Sequence, residues 1–421
     1  MGGRAKTNIV LVDQAVVSGT NFLTGLLLAR FLGLEGYGLF VLAYGVIQFI
    51  SGIQVAIVIS PMMVNTPRLE YSEKPIYLSA VSAQQVLFSI VVLLLAGPVI
   101  GLLGTVMGIP KLGTLAAPLA FTAALFITQD YLRRMLIVTD HSKQALINDI
   151  ISYGLQLAAL IYYFSLGNPH TRGTFWIIAF TSGIAVLHGI FVSRQANLLA
   201  GVPAAYRAFA MECAKVGRQH WDFGKWLLAR NIAYWGSSQF LIYLAGAMLS
   251  ASAVGALTAT RNIVGLANIL FLALENIVPS RAAIRYKQQG ASGLRYYLLR
   301  VSVLGGGLTG LIVVITAVSP EFWLHLAYGN DYAGYGWLVI GWGIYYIVGF
   351  FHRPLSAGLR AIDRTRDIFL ATVTGTISTL LIGYPLIRLF SLEGVLFSLI
   401  FIQTVMLIVL IQRLYQRLRH A

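Results

Sequence analysis

The 421-residue chain is 57% hydrophobic and 11% charged, with a mean hydropathy of +0.76; soluble domains run to about 45–50% apolar and about 25% charged residues, so this is a membrane protein. A net charge of +15 would point to nucleic acid in a soluble chain, but here the basic residues lie between apolar runs, where they set topology, and no nucleic-acid partner is expected. The single cysteine, Cys213, excludes an internal disulfide framework, and the lack of a P-loop, an HExxH sequence or a metal-spaced Cys/His cluster argues against an ATPase or metalloenzyme, so no enzymatic activity, cofactor or metal is expected.

The N-terminus carries Arg4 and Lys6 and then an apolar run at 8–32, too long for a signal-peptide core and without a small-residue cleavage pattern, so it is expected to remain as the first span. Runs long enough to cross about 30 Å of hydrocarbon, roughly 20 helical residues each, continue at 38–62, 78–103, 113–138, 144–166, 174–195, 224–248, 253–279, 296–318, 334–359, 367–388 and 393–412. Twelve spans are predicted. A cytoplasmic N-terminus places 23 of the 30 basic residues on inner connections and tails, with only Arg30, Lys111, Arg172 and Arg388 outside; both termini are therefore expected in the cytoplasm.

Within the spans, Asp13 lies about two turns into the first and has no local partner; a partly desolvated carboxylate can carry a proton or hold Na⁺, which makes it a coupling candidate. Asp130, in QDYLRRML of the fourth span, is a second candidate, though Arg133 and Arg134 one turn on can simply pair with it. Asp149 reads as a helix-end charge and His188 as a hydrogen-bonded interior histidine. The connection VPAAYRAFAMECAKVGRQHWDFGKW reads as an interfacial amphipathic helix with Trp221 and Trp226 at the headgroup level, dividing an N-terminal six-helix lobe (1–200) from a C-terminal one (224–421), with 201–223 as the linker.

Every intramembrane arginine falls in the C-terminal lobe. Arg230 and Arg353 sit in the inner thirds of spans seven and ten, where a long side chain either snorkels to the surface or meets a ligand; Pro354 should kink the helix beside Arg353. Arg261, in TATRNIVGLANILFLALENIVP, lies about 12 Å down its helix. An arginine at that depth costs about 2.5–3.5 kcal/mol on insertion scales, and faces either water and an anion or an acid on a neighbouring helix. Glu275, fourteen residues on, reads as a structural acid near the inner end. Tyr234, Trp235, Tyr345 and Tyr346 are packing residues or, in a cleft, platforms for sugar rings.

The halves echo one another. LARFLGLEGYGLF leading to ISPMM matches LAGAMLSASAVGAL leading to IVPSR, pairing Gly38 with Gly255 and Pro61 with Pro279, and LIVTDHSK matches GLRAIDRT, pairing Asp140 with Asp363. Six helices per half is an even number, so the halves share one orientation about an axis along the membrane normal. The expected fold is all-α, a polytopic membrane protein of twelve transmembrane helices in two pseudo-symmetric six-helix bundles around a central cavity.

LLLARFLGLEGYGLF, DYLRRMLIVTDHSKQALINDI, HWDFGKWLL and RNIVGLANILFLALENIVPSRAA resemble, over essentially the whole chain, bacterial lipid-linked oligosaccharide flippases: the polysaccharide transporters of the multidrug/oligosaccharidyl-lipid/polysaccharide exporter superfamily. The resemblance implies transfer of an undecaprenyl-pyrophosphate-linked glycan from the inner to the outer leaflet of the bacterial inner membrane during capsule, O-antigen or exopolysaccharide synthesis. It also implies a cationic cavity in which Arg230, Arg261 and Arg353, with Arg30 at the outer end of the first span, face the pyrophosphate. Alternating access coupled to H⁺ or Na⁺, with a polymerase and other assembly proteins as neighbours in the bilayer, completes the expectation. Two other readings stay open: a cation-coupled multidrug exporter of the same superfamily, using acids such as Asp13, and a non-transporting membrane scaffold in a polysaccharide synthase complex.

Overall fold

The computed structural model describes residues 3–198 and 206–419, with the side chains of 3–15 and a few later residues outside that description. Among the described residues every regular element is helical. Helix α1 (Gly3–Gln54) leads through a five-residue π turn (Val55–Ile59) into α2 (Ser60–Asn65), followed by α3 (Lys74–Val106) and α4 (Ala116–Val138). Next come α5 (Ser142–Asp149), a second π turn (Ile150–Gly154), α6 (Leu155–Ser165), α7 (Thr171–Gln195) and α8 (Tyr206–Ser238). The chain continues with α9 (Phe240–Met248), α10 (Ala251–Val264), α11 (Ala267–Val318), α12 (Pro320–Tyr328), α13 (Gly336–Ala361) and α14 (Thr365–Arg419).

Among the described residues seven continuous helical stretches are long and apolar enough to cross a membrane. Three of the helices are too long to be single crossings: α1 has 52 residues, α11 has 52 and α14 has 55, about 80 Å each at 1.5 Å per residue against about 30 Å of hydrocarbon. Each is broken once, at Gly33 (φ 66°), Gly290 (φ 62°) and Ser391 (φ 49°). At Gly290 an added Cβ would meet nothing within 4 Å, so the left-handed backbone, not crowding, is what calls for glycine there. With these breaks the helices account for the twelve predicted crossings, the seventh made by the end of α8 with α9, and the eighth by α10 with the first part of α11.

By contacts the chain forms two compact units, residues 1–235 and 236–421. In the first, α4 packs along α3 and α7 over a core of Val58, Met62, Tyr77, Tyr131, Leu132 and Met135. A polar seam runs through it. Gln54 Nε2 donates to Ile127 O (2.6 Å) and Gln85 Oε1 (2.9 Å), Gln85 Nε2 donates to Ser89 Oγ (2.9 Å), and Ser89 Oγ bonds Thr128 Oγ1 (2.8 Å). Side-chain bonds of this kind average about 0.6 kcal/mol in membranes, so the seam fixes register between helices more than it adds stability.

The linker helix behaves differently from expectation. It does not end near 223 but continues as α8 to Ser238, and Gly224 lets it pass close to the π turn: a Cβ there would stand 2.4 Å from Ala56 O. Val216 (1% exposed) and His220 (0%) face the first unit, and His220 Nε2 shares a 2.9 Å hydrogen bond with Tyr77 Oη. Trp221 and Trp226 face outward, 54% and 76% exposed, as residues reaching a headgroup layer would.

In the second unit α13 packs along α11 and α14 over Val278, Ala282, Leu294, Leu298, Ala357 and Leu414. Trp342 Nε1 donates to Leu257 O (3.0 Å) and Tyr328 Oη to Ala259 O (3.1 Å), tying α13 and α12 to α10. The two units repeat one turn closely. Asp140 and Asp363 both have positive φ, 69° and 57°. His141 N–H bonds Leu136 O and Arg364 N–H bonds Leu359 O, each at 2.8 Å, while Asp140 N–H and Asp363 N–H bond Ile137 O and Arg360 O. These are the paired bonds of a Schellman helix end, in which Asp tolerates the left-handed position.

Candidate functional site

Arg261 is half-buried on the last turn of α10. Its guanidinium lies 5.8 Å from the centroid of the Trp342 ring, and that indole is itself 2% exposed and held by Leu257 O, one turn before Arg261. The cation is thus oriented by an aromatic face, and among the described residues no carboxylate pairs with it. Of the two surroundings expected for Arg261, an acid on a neighbouring helix is not found among the described residues.

Arg353 is held differently. Its Nη1 stands 3.4 Å from Glu275 Oε1, and its guanidinium lies 4.1 Å over the Phe271 ring. Glu275, which sequence position alone made a helix-end acid, is therefore the partner of a predicted ligand-binding arginine. A small recess of about 80 Å³ adjoins the pair, lined among others by Pro279, His352, Pro354 and Arg360. Arg353 follows Trp342 by eleven residues on α13, about 16 Å of helix, so Arg261 and Arg353 mark two levels of this unit rather than one binding point.

Arg230 belongs to the first unit, where it is exposed beside the π turn at Val55–Ile59. Arg30 is exposed three residues before the break at Gly33. Asp13 lies in α1 with its side chain outside the described residues. Asp130 is fully engaged: Arg134 Nε donates to both its oxygens (2.9 and 3.1 Å) and Arg133 Nη1 stands 3.8 Å away. Arg133 Nε in turn donates to Asp149, which is 0% exposed and also accepts from Gln129 Nε2 at 3.1 Å. Asp149, the last residue of α5, is therefore a helix-end charge that also serves as a buried counter-ion. His188 Nδ1 meets Asn148 Oδ1 at 3.0 Å. Tyr346 is buried against Phe271 and bonded by Asn268 Nδ2, and Trp235 packs edge-on to Phe49; both are packing residues here, while Tyr234's side chain lies outside the described residues.

The repeat adds a relation between charges. Asp13 stands twenty residues before the break at Gly33, as Arg230 does before the break at Ser250; Asp130 stands ten before the turn at Asp140, as Arg353 does before Asp363. Two acids within spans of the first half thus occupy the register of two arginines in the second. What sequence reasoning missed (Trp342 beneath Arg261, Glu275 on Arg353, Asp149 on Arg133) joins residues on different helices, and the one local signal available was Pro61, which foreshadows the π turn.

No protein-family model matches the chain, and no curated protein is significantly similar to it. Solved structures do share its architecture. An inward-facing multidrug-resistance MATE-family transporter of the MOP superfamily aligns with a TM-score of 0.72 at 16% identity, over 95% of this chain and 94% of that one. A MOP-superfamily transporter from Pyrococcus furiosus, described as having a binding pocket of reversed polarity, aligns at 0.60 and 16%, over 98% and 96%. The lipid II flippase MurJ, in an inward closed conformation, aligns at 0.65 and 11%, over 98% and 88%. At these identities the likeness is one of fold, and the chain is a polytopic helical membrane protein with the fold of MOP-superfamily transporters.

Proposed function

We propose that the protein is a flippase that carries an undecaprenyl-pyrophosphate-linked oligosaccharide from the inner to the outer leaflet of a bacterial cytoplasmic membrane, for capsule, O-antigen or exopolysaccharide assembly. Arg261 carries this reading: a half-buried cation in a membrane span, oriented on Trp342 and without a carboxylate among the described residues, is prepared for an anion that arrives from outside the protein. The MOP-superfamily fold it shares with a lipid II flippase supports the same reading.

The two arginine levels give the pyrophosphate a path. With both termini cytoplasmic, Arg353 stands at the inner level and Arg261 at the outer one. An incoming pyrophosphate displaces Glu275 from Arg353 and passes to Arg261 and then to the outer leaflet. The lipid tail stays in the bilayer while the glycan crosses in water. Asp130 is occupied by Arg133 and Arg134, which leaves Asp13 as the acid to bind H⁺ or Na⁺; the ion gradient, or removal of the product by a polymerase outside, sets the direction.

Arg261→Ala is expected to abolish glycan export while the protein still inserts and accumulates in the membrane. Normal export by that variant would refute the pyrophosphate role. The acid at Asp13 favours a second reading, a cation-coupled multidrug exporter. On that reading Asp13→Asn would sensitise cells to cationic drugs and Arg261→Ala would not impair export of them.

A further inference from the structure

The second span is interrupted beside Arg230. At Val55–Ile59 the backbone widens, Ser60 N–H bonding Val55 O five residues back instead of four. Pro61 accounts for the change: it has no N–H to offer Ile57 O, and Gln84 Nε2 takes that carbonyl instead, at 3.4 Å. The close passage of Gly224 over Ala56 O supports the wide turn from the other side.

Beside this turn a recess of about 470 Å³ opens within the first unit, its polar lining supplied by Gln48, Ser51, Ser60, Arg230 and Asn231 and its remainder by small aliphatic surface. None of the lining residues is acidic. Asn231 Nδ2 is buried and has no hydrogen-bond partner; it lies on the bare face of Gly52, where a Cβ would stand 2.4 Å from it. A water's share of liquid volume is about 30 Å³, so the recess has room for about fifteen such volumes, enough for a ring-sized molecule and far more than a lone anion needs. One guanidinium, two amides and two hydroxyls around an aliphatic patch match a ligand with a single negative charge, several hydroxyls and an apolar ring face. A diphosphate, with more charge and no hydroxyls, matches them poorly.

We propose that this recess is a sugar-acid subsite, taking a carboxylate-bearing pyranose of the transported glycan. Arg230 pairs with the carboxylate, the Asn231 amide oxygen, Gln48 and the two serines bond ring hydroxyls, and the aliphatic side of the π turn takes the ring face. The inference rests on the flippase reading and deepens it by naming the glycan class: an acidic glycan.

The test uses the full-length protein purified in detergent and three soluble probes, D-glucuronate, D-glucose and inorganic pyrophosphate, with binding read by calorimetry. Glucuronate is expected to bind at least tenfold more tightly than glucose or pyrophosphate. Arg230→Gln should weaken glucuronate binding at least tenfold with a smaller effect on glucose, and Asn231→Ala should weaken both sugars. Ser51→Leu, which fills the recess, should block both without lowering the unfolding midpoint. Pyrophosphate binding that exceeds glucuronate binding and depends on Arg230, or glucuronate binding indifferent to Arg230→Gln, overturns the proposal. In proteoliposomes, lipid-linked acidic glycan should move faster than a neutral one, and equal rates count against the subsite. Flux of neither would sink the flippase reading, while the glucuronate measurements would still decide the recess.

Discussion

Arg133→Met tests a buried ion pair of the first unit. Asp149 is 0% exposed and Arg133 side-chain exposure is 11%, so the pair sits where solvent screens little. At an effective dielectric constant of about 20, two unit charges 4 Å apart attract by about 4 kcal/mol, and removing one partner of a buried pair typically costs about 3–5 kcal/mol because the other charge is left behind. Gln129 Nε2 remains on Asp149 after the substitution, which places the expected loss near the lower end, at about 3 kcal/mol. For a unit of 235 residues each kcal/mol moves the unfolding midpoint by about 2–4 °C, so Arg133→Met should lower it by about 6–12 °C. The assay is thermal unfolding in detergent, followed by intrinsic fluorescence. The double variant Arg133→Met/Asp149→Leu replaces both charges by apolar groups and should recover most of the loss. If the single variant unfolds within about 2 °C of the parent, or the double variant is no more stable than the single, Asp149 is not a counter-ion held by Arg133 and the reasoning fails.

Three further outcomes follow from the geometry. Glu275→Gln removes the internal competitor for Arg353 and should lower the substrate concentration for half-maximal transport about tenfold, whereas Arg353→Gln should raise it; equal effects of the two would show that the pair is only structural. Burial pushes the His220 imidazole down from 6.5 to about 4. A histidine held neutral stabilises the fold above its unfolded pKa, and that stability is lost as pH falls from about 6.5 to about 4, at most about 3 kcal/mol for the whole interval; His220→Phe should flatten the pH dependence of unfolding across that range. Gly224→Val would drive side-chain atoms into Ala56 O, backbone that cannot step aside, and should cost at least about 2 kcal/mol in unfolding experiments, while Gly217→Ala, which meets nothing within 4 Å, should cost nothing and can gain up to about 1 kcal/mol from the better helix former.

The chain of apolar runs, their lengths and the spacing of Asp140 and Asp363 from their helix ends were legible because each depends on neighbours in sequence. Hydrocarbon thickness sets how many residues make a crossing, and backbone sterics set which residues end one. The same local logic placed a lone arginine deep in the eighth span. It could not find Trp342, Glu275 or Asp149 as partners, since each lies on a different helix from the arginine it meets. The linker is an intermediate case: its amphipathic pattern was readable, yet its close packing at Gly224 depends on Ala56 O of the distant π turn.

By itself, then, the sequence determined that this is a helical membrane protein of repeated apolar spans, because burial in lipid acts on every residue according to its own chemistry. The tertiary structure decided which of its charges are already satisfied. Arg133, Arg134 and Arg353 have carboxylates brought to them from neighbouring turns or helices, whereas Arg261 has an indole face and Arg230 a recess. Pairing is a property of distance in space, and the packing of helices sets that distance.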